Sequence, residues 1–430
     1  MRRNTTLIHY ISSAIRYRIR RLGRRISRYN PLFPQYREVI QLIWCNEAWP
    51  VYANIFPEPF IYQPSEQDKM VTDKHVKFAS HNIVLPPVMV HLIPNGCIFP
   101  RTGVITDASG RIIIESSRSY NAVLELNENR PILRKTKTFK GDCPVTVINV
   151  EAYKFYYHWL IDVLPRLYAL GQLNERVVLL LPPGLSPTQL KLLDYCLPDN
   201  VQLQRLNNFT PIRARQVLLS PITSIQGIGV LRPELLDFLR SSILPKCEQL
   251  DNGRPRPRRI YISREKAPKR RVLNEDQLLP ILDRYDIQKV FAEDLTIEEQ
   301  VLLFRDAELI VSPHGGGLTN MIFARNAAIV EIFPNGERPP WNLPIHYWGL
   351  AKSCGHRYYF IFHANQDIHT DIRVDPERLE RIIDEAASGK LEVKEGHALY
   401  AGLPTGFPEL LYTVRRNTRP AEYPHMVASR

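Results

Sequence analysis

"VSPHGGGLTN", residues 311–320, decides how this chain is read. The apolar "ELIVS" at 308–312 has the composition of a buried strand, Pro313–Gly317 is a turn with three successive glycines, and "LTNMIFAR" opens a helix from about Leu318. His314-Gly315-Gly316-Gly317 matches the oxyanion-hole motif of lipases and esterases. A glycine turn leading into a helix is also a place for a phosphate, because backbone N–H groups approach closely and the helix start is partially positive. A third reading is a tight strand-to-helix turn that needs only small residues.

The esterase reading requires an activated serine in a G-x-S-x-G elbow further along the chain. Ser353 in "AKSCG" lacks the first glycine, and upstream Ser186 in "PGLSPT" lacks the second. Without a nucleophile an oxyanion hole has nothing to stabilise. The phosphate reading needs an α/β sheet around the turn, and the flanking sequence predicts one.

Working outward, strand and helix patterns alternate through 258–264, 274–284, 287–291, 296–306, 307–312 and 327–334. An earlier block alternates likewise, with a helix at 151–170, a strand at 176–181, a helix at 186–196 and short strands near 201–220. "DNGRPRPRR" at 251–259 has linker composition. The pattern predicts doubly wound α/β sheets, two Rossmann-like halves joined by that linker. Before them, 31–75 reads as irregular, and "GVITDASGRIIIESS" at 103–117 reads as a β-hairpin.

Two further stretches carry chemistry. In "YISREKAPKRRVLNE" at 261–275, Arg264, Lys266, Lys269, Arg270 and Arg271 crowd one strand-end loop against Glu265. Such a loop is either solvated or faces an anion, and arginine can grip a pyrophosphate with two parallel bonds. Arg264, nearest the strand end, and Arg271 are the candidates. In "EAYKFYYHWLIDVLPRL" at 151–167, His158 and Asp162 are spaced i,i+4 on one helical face, with Lys154 a turn before and Arg166 a turn after. They form either an internal polar network or a site in which Asp162 orients a basic imidazole. Pro165 should kink the end of that helix.

Composition narrows the classes. Hydrophobic residues at 44% and charged residues at 23% fit a globular protein. Of the net +12, nine charges come from the arginines of residues 1–28, which contain no acid. The rest is near neutral, which argues against a nucleic-acid partner. Residues 1–30 form a basic amphipathic pattern, with Ile8, Ile11, Ile15, Ile19, Leu22 and Ile26 on one face. That pattern suits an anionic membrane surface, packing on its own domain, or a solvated tail. Six scattered cysteines show no zinc or redox spacing, and no segment is apolar enough to span a membrane. A cytoplasmic protein, peripheral on the inner face of the membrane, is expected. Residues 401–430 read as a tail.

"YYHWLIDVLPRL", then "ISREKAPKRRVLNE", then "EDLTIEEQ…PHGGGLTN" resemble, in this order, the family 61 glycosyltransferases, including bacterial capsular-polysaccharide-type members. The resemblance covers roughly 88–350. Its family motifs fall on Ser263-Arg264, Asn274-Glu275, Glu299-Gln300 and Pro313–Asn320, with Gly316 where alanine is usual. It implies a GT-B-like α/β fold, two Rossmann-like doubly wound domains facing a cleft. An acceptor-side domain would span 75–250 and a nucleotide-sugar-binding domain 255–400. It also implies inverting, metal-independent transfer from a nucleotide-sugar, a UDP-sugar first, to a polysaccharide or glycolipid hydroxyl. No Asp-x-Asp pair follows any predicted strand. The donor would be held by Arg264, Arg271, His314, Gly315, Gly316, Gly317, Thr319, Asn320 and Glu331, with Asp162 or His158 as the general base. The opposing reading is a non-catalytic nucleotide-binding scaffold of polysaccharide assembly.

Overall fold

The computed structural model describes residues 42–43, 48–63, 83–116, 136–224, 229–334, 346–363 and 371–389. The expected N-terminal helix over 1–30 and the tail over 401–430 lie outside the described residues. From Ile43 onward the chain clusters as one unit.

The elements of its two larger α/β layers, in chain order, are strands β1 (Val51–Phe56), β2 (Val88–Pro94), β3 (Val145–Thr146) and β4 (Val177–Leu181), helix α1 (Pro187–Cys196), strands β5 (Val201–Arg205) and β6 (Gln216–Leu219), and helix α2 (Pro233–Gln249). There follow β7 (Arg259–Ile262), α3 (Glu275–Arg284), β8 (Gln288–Val290), α4 (Ile297–Asp306), β9 (Leu309–Pro313), β10 (Ala328–Pro334), α5 (His346–Ser353), β11 (Arg357–His363) and α6 (Pro376–Ser388).

The first sheet has the order β5-β4-β3-β6-β2-β1. Its β3–β6 are mutually parallel, whereas β2 and β1 add as antiparallel strands at one edge. The expected doubly wound half is therefore a mixed sheet. The second sheet, β8-β7-β9-β10-β11, is wholly parallel. Every residue of β4 and of β9 is buried, as helix-covered parallel strands require. Apolar residues of both sheets join one core, in which Trp159, Leu160 and Leu179 share a cluster with Ile262, Ile310 and Leu318.

Local signals explain the element ends. Thr296 and Glu299 close a capping box on α4, and Ser186 with Gln189 does the same on α1. The hairpin expected over 103–117 forms between Ile105–Thr106 and Ile112–Ile113, with Asp107 accepting from Ser109 Oγ and from the Arg111 amide, both at 2.8 Å.

Two helices differ from expectation. The segment from 151 is turn until Tyr156, and Trp159–Val163 is a π-helix in which the Leu164 amide reaches back to the Trp159 carbonyl at 3.0 Å. Pro165, lacking an N–H and crowding the preceding turn, follows this wider coil and caps the next helical segment, Arg166–Gly171. The helix expected from Leu318 is a 3-10 helix over Gly316–Phe323, opened by two glycines of low α-propensity.

Candidate functional site

The strand order of the parallel sheet reverses between β7 and β9. An open α/β sheet leaves a crevice beyond the carboxyl ends of its strands at such a switch point. Here the loop after β7 begins with Ser263 and Arg264, and the loop after β9 with His314 and Gly315. The Arg264 guanidinium lies so close to Gly315 that a β-carbon there would collide with Nη1. Nε and Nη2 of Arg264 donate to the Lys269 carbonyl at 3.2 and 3.0 Å. From the same loop, Arg270 Nη1 donates to the His314 carbonyl at 2.8 Å. Arg270 has φ 59, a left-handed conformation that costs a residue with a side chain about 1 kcal/mol.

Both arginines are half-buried, and neither forms an ion pair among the described residues. Burial lowers the pKa of each, and for Arg264 the neighbouring Arg270 lowers it further. Two cations held together without an anion are electrostatically incomplete, which suits an incoming phosphate.

His314 sits at the edge of this pair, nearly buried. Its Nδ1 is hydrogen-bonded to Oε1 of Glu331 on β10, and Oε2 of Glu331 accepts from the Tyr358 hydroxyl. Burial pushes Glu331 up to about 8, and burial together with Arg270 and Arg264 pushes the His314 imidazole well down. The His314 ring packs 4.8 Å from Phe333, 5.3 Å from His346 and 5.1 Å from Tyr347, centre to centre.

Other expected ligands stand elsewhere. Arg271 is on the exposed side of its loop and pairs with Asp371, its Nε at 2.9 Å. Thr319 and Asn320 are fully buried. The Tyr156 hydroxyl donates to Asn320 Oδ1, and Asn320 Nδ2 donates at 3.0 Å to Gln300 Oε1. Gln300 in turn donates to the Ala292 carbonyl at 2.9 Å. In this conformation Asn320 is a brace between the 156–163 helix and α4 rather than a group facing a ligand. Gly317 packs on Ile262, and a β-carbon at Gly316 would meet only Tyr156, at 3.9 Å.

A second imidazole–carboxylate pair lies on the 156–163 helix. His158 Nδ1 and Asp162 Oδ2 are 2.6 Å apart. Asp162 is fully buried while the His158 side chain keeps 26% of its surface exposed. The Ser224 hydroxyl donates to the other Asp162 oxygen. Arg166, also fully buried, donates to the Ile148 carbonyl at 2.8 Å and to the Ser220 carbonyl. It thereby ties this helix to the segment that carries Ser224. Rings connect the two pairs: Tyr157 lies 5.2 Å from His158 and 4.5 Å from His346, which in turn lies 5.3 Å from His314.

Sequence reasoning missed Arg270, Tyr156, Ser224, His346, Tyr347 and Tyr358. Only Arg270 had a signal, its place in the basic loop. The others enter through tertiary contacts over 27 to 164 residues of sequence.

Residues 156–330 match the family model described as Glycosyltransferase 61. Over 101 residues, 23% of its length, the chain is 38% identical to the EGF domain-specific O-linked N-acetylglucosamine transferase of Drosophila melanogaster. That alignment spans 18% of the fly protein. The family match contains both imidazole–carboxylate pairs except Glu331, which follows its last residue, and both unpaired arginines. Over that segment, the chain is similar to the glycosyltransferase 61 family.

Proposed function

We propose that this protein is an inverting glycosyltransferase that moves a sugar from a nucleotide-sugar, a UDP-sugar first, to an acceptor hydroxyl. The observation that carries the reading is the pair Arg264 and Arg270, half-buried without an ion pair at the β7/β9 switch point and beside the backbone of Gly315. A departing nucleoside diphosphate is the anion such a pair fits. The amides of Gly315–Gly317 and the His314 ring complete its cradle. These groups neutralise the leaving charge as it develops, the task a metal performs in other transferases.

Inversion needs a base opposite the leaving group. Asp162 is enclosed, so His158 is the member of that pair that takes the proton. Asp162 fixes the tautomer with its proton on Nδ1, and Nε2 becomes the basic nitrogen. On this reading Glu331 stands behind His314, and Thr319 and Asn320 hold the turn from inside. Arg271 is a rim residue.

The GT-B reading divides the chain into an acceptor half over 75–250 and a donor half over 255–400. It is supported by two α/β sheets on either side of the 251–259 linker and by a site drawn from both. Among the described residues no helix is long and apolar enough to cross a membrane. Residues 1–28 are the proposed contact with an anionic membrane surface.

For the acceptor we propose a polysaccharide or glycolipid hydroxyl. The fly relative favours a second reading, a protein hydroxyl with N-acetylglucosamine as the sugar. The test is release of nucleoside diphosphate from a panel of nucleotide-sugars that includes UDP-N-acetylglucosamine, with and without acceptors of each class. A folded protein that releases none from any donor is the non-catalytic scaffold instead.

A further inference from the structure

The Glu331 carboxyl is fully enclosed, with no side-chain surface exposed. Its two oxygens are taken by His314 Nδ1 and the Tyr358 hydroxyl, and among the described residues no arginine or lysine forms an ion pair with it. An ionised carboxylate buried without a cation in contact is strongly disfavoured, so the group holds its proton. Tyr358, which can only donate usefully to an oxygen lone pair, then selects Oε2 as the carbonyl oxygen. The acid proton on Oε1 points to Nδ1.

The other ring nitrogen completes the picture. Nε2 of His314 has no protein partner among the described residues, and the side chain retains 9% exposure. The charged and titratable groups around the pair are Arg264 and Arg270 from the basic loop, Tyr347 and His346 from α5, and Tyr358 from β11. Glu293 acts on Arg264 electrostatically, without forming an ion pair with it.

We propose that Glu331 is a protonated positioning residue: its carboxyl donates to His314 Nδ1, Tyr358 fixes its other oxygen, and His314 thereby presents Nε2–H to the donor diphosphate. This rests on the reading of the site as a diphosphate cradle. An ionised Glu331 would do the reverse. It would draw the imidazole proton to Nδ1, aim a nitrogen lone pair at an anion, and offset one of the two arginine charges. The upward displacement of Glu331 and the downward displacement of His314 are those of a neutral pair.

Glutamine separates the two states, because its amide N–H can donate to Nδ1 while its oxygen accepts from Tyr358. UDP is titrated calorimetrically into the wild-type chain and into the E331Q, E331L and Y358F variants. The tautomer of His314 is read by nitrogen NMR on the unliganded, histidine-labelled wild type, with the signal assigned by its loss in H314Q. The expected result is Nε2–H in the wild type, UDP affinity within about threefold in E331Q, and a loss of roughly tenfold or more in E331L. An Nδ1–H tautomer, or E331Q as weak as E331L, overturns the proposal. If E331L fails to fold, Y358F and the tautomer signal decide it. UDP binding equally well to wild type and E331L defeats this inference alone. A wild type that binds no nucleoside diphosphate defeats the proposed function as well.

Discussion

Arg264 lies against the backbone of Gly315, so that the carboxyl ends of two neighbouring parallel strands are bridged by a cation that forms no ion pair among the described residues. Strand order puts the two loops together, and the missing side chain at Gly315 lets the guanidinium come close. The three glycines of the turn are therefore not equivalent. A β-carbon at Gly315 must displace Arg264, whereas one at Gly316 would make an ordinary contact at 3.9 Å with Tyr156. G315A should weaken UDP binding by roughly tenfold, and G316A by less than about twofold, in the same calorimetric titration. Equal effects would show that the turn tolerates bulk at both positions.

The His158–Asp162 pair predicts a separation of binding from turnover. D162N keeps the shape but no longer holds the imidazole as a base. Donor hydrolysis should fall by about a hundredfold or more, with UDP affinity unchanged. S224A, which removes the hydroxyl donated to Asp162, should lower the rate by a smaller factor in the same assay. A D162N protein that hydrolyses donor at the wild-type rate would assign the pair to structure alone.

Asn320 predicts the opposite separation. It is enclosed, and it joins Tyr156 to Gln300. N320A leaves the Tyr156 hydroxyl and the Gln300 carboxamide oxygen without the partner that Asn320 supplies. It should cost about 2–4 kcal/mol of stability, measured by denaturant unfolding, while the folded protein still binds UDP. Lost UDP binding in a protein of unchanged stability would return Asn320 to the list of direct ligands.

These residues also mark how far the sequence could be read. The strand–turn–helix alternation from 258 to 334 is local, set by apolar runs and caps, and its elements fall within two residues of where periodicity put them. The positions of Arg264 and His314 were legible because each stands within two residues of a strand's carboxyl end. Arg270 and Arg271 were not separable by composition. One takes a left-handed backbone and turns inward, the other turns out to Asp371. Thr319 and Asn320 carry ligand-like side chains, yet the tight 3-10 coil points them into the core. The π-helix at Trp159–Val163 and the bonds of Ser224 and Tyr358 depend on packing between distant segments, which no local window contains.

Protonation of Glu331 has a signature in stability. Its pKa in the folded protein is about 8, above the ordinary value of 4.5, so the folded state keeps a proton that the unfolded state has released. The stability contributed by this group is fully present below about pH 4.5 and declines as pH rises toward 8. His314, held neutral, contributes in the other sense and loses stability as pH falls below its ordinary 6.5. The difference between wild type and E331Q isolates the first effect. Melting temperatures taken from pH 5 to pH 9 should show wild type losing ground to E331Q as pH rises. Parallel curves would mean that Glu331 is ionised in both states.

The central claim is that Arg264 and Arg270 hold the diphosphate of a nucleotide-sugar that this protein cleaves. Release of UDP from UDP-sugars, followed in wild type, R264A, R270A and R271A, tests it directly. Wild type should release UDP. R264A and R270A should each bind UDP more weakly by about tenfold to a hundredfold, the size of a lost charge-assisted bond, and release it correspondingly more slowly. R271A, which removes only an exposed pair with Asp371, should behave as wild type. UDP release undiminished in the R264A/R270A double variant, or no release of nucleoside diphosphate by folded wild type from any donor, would contradict the account.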